Sequence, residues 1–114
     1  MVHAFAAATA RAREGDLDGV EILGAFGLLV AAFMSPYSNT RQDEYGGSLD
    51  NRLRFCLDVF KAIRARVGED FILGVRYTAD ECLPGGTDKA DGFEISRRLK
   101  ESGLIDYLNV IRGH

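Results

Sequence analysis

The residue of this 114-residue sequence best placed to do chemistry is Arg76, which follows the apolar run 71–75. A cation where a buried strand ends can hold an anion or the charge-bearing edge of a ligand; a structural salt bridge is the other reading of the same residue. Arg41, Asp43, Arg52 and Arg54 crowd a polar stretch and the segment after it. They read as a local ion-pair and capping network, with Tyr45, Gly46 and Gly47 shaping a turn that needs positive backbone dihedrals. Cys56 lies on an apolar helical face and reads as core, whereas Cys82 lies in a loop. The two form no CxxC-type motif, so no disulfide framework, zinc site or other metal is expected, and the chain reads as reduced and cytoplasmic.

Composition narrows the partners. Lys and Arg number 14 against 17 Asp and Glu, a net charge of -3 with no block of like sign, which argues against nucleic acid. The most apolar stretch, 25–36, is about 10 to 12 residues long where a membrane span needs roughly 20, and no secretory leader opens the sequence. A hydrophobic content of 46% with 27% charged residues is ordinary for a globular fold.

The positioning elements follow from periodicity. Residues 2–14 carry Phe5, Ala8, Thr9 and Ala12 on one helical face, and Gly15 stops the helix. The run 20–23 lies between Gly19 and Gly24 and reads as a strand covered on both faces. A short buried helical segment over 28–34 ends at Pro36, and a polar loop over 37–47 follows. Ser48 caps a long helix to Val67 with Leu53, Cys56, Leu57, Phe60, Ile63 and Val67 inward. A second strand over 71–75 leads to Arg76, a loop over 78–91 carries Pro84-Gly85-Gly86, and a helix from about Gly92 turns Phe93, Ile95 and Leu99 inward. A last strand spans 107–111. Alternating helices and strands make this an α/β chain whose strands run parallel, as consecutive staves of one curved sheet with the site at the strands' C-terminal ends.

Within this frame Asp18-Gly19-Val20-Glu21-Ile22, Ser35-Pro36, Asn39 and the run from Arg41-Gln42-Asp43-Glu44-Tyr45-Gly46-Gly47-Ser48 to Asn51-Arg52-Leu53-Arg54-Phe55 resemble the old yellow enzyme family. Gly74-Val75-Arg76 and Asp106-Tyr107-Leu108-Asn109-Val110 match it at the expected later places. The family comprises FMN-dependent oxidoreductases: ene-reductases, dienoyl-CoA reductases and amine dehydrogenases of the trimethylamine dehydrogenase type. The resemblance implies a partial TIM (β/α)8 barrel, the third helix through the sixth strand, so that residues 1–114 are expected to be a segment of a single FMN-binding barrel domain. Three strands cannot close a barrel; two sheet edges and an inner face are expected to stay open.

The resemblance also implies roles. Arg76 matches the arginine that contacts the pyrimidine edge of the flavin, where a guanidinium stabilises negative charge on the reduced ring. Ene-reductases carry His, His or Asn, and Tyr at the places occupied here by Leu23, Phe26 and Leu28, none of which donates a proton or polarises a carbonyl. An apolar pocket of this kind suits a methylated amine whose C–H bond is oxidised; plain core residues in a degenerate relative are the other reading. His114 falls near the place where the amine dehydrogenases carry an Asp and is counted with the pocket, an incidental residue being the alternative. FMN is the implied cofactor and a small molecule the implied partner. The resemblance leaves open NAD(P)H as electron donor, NAD(P)H-dependent ene reduction, an iron–sulfur cluster outside these residues, a homo-oligomeric parent enzyme and an inactive fragment.

Overall fold

The computed structural model describes residues 1–113. Its elements are α1 (Val2–Glu14), β1 (Gly19–Gly24), α2 (Leu29–Met34), α3 (Leu49–Val67), β2 (Ile72–Asp80), α4 (Lys89–Glu101) and β3 (Tyr107–Arg112). The strands form one parallel sheet in the order β1-β2-β3, in a register that pairs Leu23 with Arg76 and Arg76 with Asn109. This is three staves of a (β/α)8 barrel.

Period-two alternation divides each strand between two environments. Ile22, Leu73, Val75 and Tyr77 are buried among Leu53, Cys56, Phe60, Ile63, Ile95 and Leu99 of the helices. Tyr77 donates its hydroxyl to the Gly92 carbonyl at 3.3 Å, tying β2 to α4. The opposite face carries Glu21 and Leu23, Gly74 and Arg76, Tyr107 and Asn109. Both faces of β1 were expected to be covered, but Glu21 and Leu23 are exposed because the helices cover only one side of the sheet.

Four other expectations are corrected. Pairing with β3 carries β2 past its apolar run as far as Asp80, so Arg76 lies inside the strand rather than at its end. The following loop is correspondingly short: α4 begins at Lys89, and Asp88 caps it by accepting from the Asp91 amide at 2.9 Å. Phe93 is 77% exposed, not inward, since none of the described elements covers that side of α4. On α1 the buried residues are Ala6, Thr9 and Ala10 while Ala8 faces out, because the helix packs along α3 as well as on the sheet.

Helix α3 follows its reading closely. The Ser48 hydroxyl accepts from the Asn51 amide at 3.2 Å, and Gly68 ends the helix in a left-handed conformation, φ 81°. Phe55 stacks on Phe33 with centroids 4.4 Å apart and meets Phe5 edge-on at 6.3 Å, which locks α2 and α1 to α3.

Candidate active site

The chain leaves β1 through an apolar corner. Phe26 and Gly27 both adopt left-handed conformations, φ 60° and 68°, which is uncommon for a phenylalanine. Leu23, Phe26 and Leu28 are 38%, 55% and 52% exposed among the described residues. Leu23 shares the open face with Arg76, its register partner, whereas Phe26 and Leu28 sit in the loop between β1 and α2. Phe26 also lines a cavity of about 240 Å³ with Tyr37, Glu81 and Leu83. The Glu81 carboxylate accepts from the Ser35 hydroxyl at 2.6 Å and from the Thr87 amide, joining the end of α2 to the loop after β2. His114, the fourth expected pocket residue, lies outside the described residues.

Arg76 lies in an acidic setting that sequence reasoning missed. Its Nε lies 3.0 Å from Glu21 Oε1, an ion pair by distance, yet the angle is poor and Nε makes no hydrogen bond. No Arg76 nitrogen hydrogen-bonds to another described residue, and the side chain is 41% exposed on the open face. The other Glu21 oxygen accepts from the Tyr107 hydroxyl at 3.0 Å and from Asn109 Nδ2 at 3.3 Å. Burial, then the bond to Glu21, raises the Tyr107 pKa. The salt-bridge reading of Arg76 is thus correct in part: an ion pair exists, and the guanidinium keeps donors free. One acid inside the apolar run 20–23, with the strand parity of Arg76, was the signal for Glu21.

The polar loop after α2 is built for itself. Asn39 Nδ2 donates to the carbonyls of Phe33 at 2.6 Å and Tyr45 at 2.7 Å. Arg41 Nε reaches Asp43 at 3.0 Å, and the hydrogen bond from Arg41, followed by the Tyr45 amide, holds the Asp43 carboxyl below its usual range. Among the described residues Arg52 and Arg54 form no ion pair there. Arg52 donates to the carbonyls of Met34 at 3.0 Å and Gly47 at 2.8 Å, and Arg54 to that of Glu44 at 2.8 Å. Of the turn residues only Gly47 has a positive φ, 92°; at Gly46 a Cβ would meet the Arg41 carbonyl oxygen at 2.3 Å.

Among the described residues no group of three metal-ligating side chains exists, and no helix is long and apolar enough to cross a membrane. Cys56 is fully buried, which pushes its thiol pKa up to about 12, whereas Cys82 is exposed. A concavity of about 540 Å³ lies between α4 and β3 beside Phe93, Ile105 and Leu108, on the side of the sheet that packs the helices.

A partial β/α barrel whose open face carries a cation with free donors beside an exposed apolar corner belongs, by architecture, with barrel enzymes that work at the ends of their strands. The structure superposes on 2-naphthoyl-CoA reductase, solved with 2-naphthoyl-CoA, with a TM-score of 0.93 at 32% identity, covering 98% of this chain and 17% of that one. Residues 1–111 match the NADH:flavin oxidoreductase / NADH oxidase family, and the chain belongs to that family, the old yellow enzyme group. The chain is 68% identical over 114 residues to a probable N-methylproline demethylase of Rhizobium meliloti (strain 1021), covering 100% of this chain and 17% of the relative. It is 42% identical over 113 residues to a multifunctional alkene reductase/demethylase of Caballeronia cordobensis, covering 99% of this chain and 16% of the relative. The chain thus spans about a sixth of the length of these relatives.

Proposed function

We propose that this chain contributes part of the active site of an FMN-dependent oxidoreductase that oxidises an N-methylated amine. The observation that carries this reading is the exposed apolar corner Leu23, Phe26 and Leu28 where a carbonyl-holding pair and a proton donor would stand in an ene-reductase. These side chains can exclude water and offer an aromatic face to an ammonium group, a contact worth about 0.5–2 kcal/mol. None of the three donates a hydrogen bond, so an enone's developing oxyanion would find no partner among them. His114 belongs to the same proposed pocket. The names of the two relatives, both of which include a demethylase, support the substrate class.

The residues present fit a flavin at one point. The terminal nitrogens of Arg76 donate to no described residue and its side chain is 41% exposed on the open face, suited to an anionic ring edge, and Arg76 is the residue proposed to contact the cofactor. FMN, when bound, supplies a two-electron hydride acceptor. Anaerobic stopped-flow on the full-length holoprotein tests the reading. Methylated amines or amino-acid betaines should bleach the flavin faster than NAD(P)H does, and cyclohexenone should reoxidise it slowly. Rapid enone turnover with no response to any methylated amine overturns it.

A further inference from the structure

We propose that Glu21 is a positioning residue for Arg76, and that Tyr107 and Asn109 hold it in place across the sheet. The inference rests on the reading that Arg76 contacts the flavin. An arginine side chain carries many rotamers, and a guanidinium half exposed on an open face delivers its donors to one place only if something restrains it. Here the restraint is the ion pair of Glu21 Oε1 with Nε, 3.0 Å apart though off-angle for a hydrogen bond, and the two terminal nitrogens donate to no described residue. The carboxylate is itself fixed, because the Tyr107 hydroxyl at 3.0 Å and Asn109 Nδ2 at 3.3 Å occupy its other oxygen.

The sheet is built to allow this. Glu21, Gly74 and Tyr107 are register partners on three successive strands, and the two outer side chains meet across the middle one. They can do so because residue 74 has no side chain: a Cβ there would fall 2.1 Å from the Tyr107 ring. Leu23, Arg76 and Asn109 form the next register row toward the strands' C-terminal ends. One row therefore anchors the cation of the next.

The alternative role for Glu21, balancing charge, predicts the opposite sign. A carboxylate that merely neutralised Arg76 would weaken its attraction for an electron-rich flavin, so its removal would tighten FMN binding and raise the midpoint potential. Loss of a carboxylate that aims the guanidinium loosens binding and lowers the potential. FMN affinity, from quenching of flavin fluorescence, and the midpoint potential can be measured on the full-length protein as wild type, Arg76→Ala, Glu21→Ala, the double variant and Tyr107→Phe.

Arg76→Ala should weaken FMN binding by about tenfold or more, the scale of one charge-assisted hydrogen bond. Glu21→Ala should approach that loss, the double variant should bind FMN no worse than Arg76→Ala, and Tyr107→Phe should produce a smaller loss of the same sign. Should Glu21→Ala fail to fold, Glu21→Gln and Tyr107→Phe carry the same comparison. Unchanged or tighter FMN binding in the Glu21 variants while Arg76→Ala weakens it overturns the positioning role alone, as do additive losses. If Arg76→Ala leaves both affinity and potential unchanged, the flavin reading of Arg76 itself fails.

Discussion

Two arginines, one near the end of α3 and one midway along β2, spend their donors differently. Arg64, in the last turns of α3, is 12% exposed and gives its donors to the protein. It reaches the carbonyls of Leu104 at 2.7 Å and Phe71 at 2.6 Å and the Asp106 carboxylate at 3.0 Å, stitching α3 to the starts of β2 and β3. Arg76, on the open face of β2, has one off-angle ion-pair partner and no hydrogen bond among the described residues. The difference separates two places in the sheet: a satisfied cation where the strands begin holds the fold, and a cation midway along β2 on the open face is available for a ligand.

The comparison breaks most easily at Arg64. Arg64→Ala in the full-length protein leaves the Leu104 and Phe71 carbonyls without this donor and the Asp106 carboxylate with only the Leu73 amide, and should cost about 2–4 kcal/mol in denaturant unfolding. Arg76→Ala should stay within about 0.5 kcal/mol of wild type in the same measurement, because its removal strands only Glu21, which keeps two other donors. Equal losses at the two positions would erase the distinction.

How far this contrast was legible in the sequence differs between its two sides. Helix α3, with its Ser48 cap and apolar stripe, and the three strands were readable because local periodicity and capping decide them. The extension of β2 to Asp80 was not, since it follows from pairing with β3, a partner 30 residues on that no local window reports. At the candidate site, Arg76 and the apolar corner were named from the motif. Glu21, Tyr107 and Asn109 were not, because their meeting depends on the register of three strands and on the missing side chain of Gly74. Phe93 was misassigned for the complementary reason: helical spacing says which residues share a face, and it does not say whether another element covers that face.

Gly74→Ala sharpens the contrast from the open face. The added methyl meets the far end of the Tyr107 ring, which can swing away, so the expected stability loss is only about 1 kcal/mol. The ring's departure removes a donor from Glu21. The variant should therefore lose FMN affinity beyond what its stability loss would suggest, and retention of wild-type affinity would separate the Tyr107 contact from the cofactor site.

The smallest effect expected lies at Asp106, the carboxylate that Arg64 holds. Its pKa is lowered first by the Leu73 amide, which donates at 2.8 Å, and then by Arg64. A carboxyl whose folded pKa lies below its unfolded one releases its proton more readily in the native state. Its contribution to stability is present above the ordinary aspartate pKa of about 3.9 and is lost as pH falls through the folded value. The side chain is 47% exposed, so solvent screening limits the ionic share to a few tenths of a kcal/mol. Asp106→Asn should accordingly be slightly less stable than wild type at pH 7, and the gap between the two denaturation curves should close as the pH is lowered from about 5 toward 2.5. A gap that widened on acidification would mean that the Asp106 carboxylate is not what Arg64 stabilises where the strands begin.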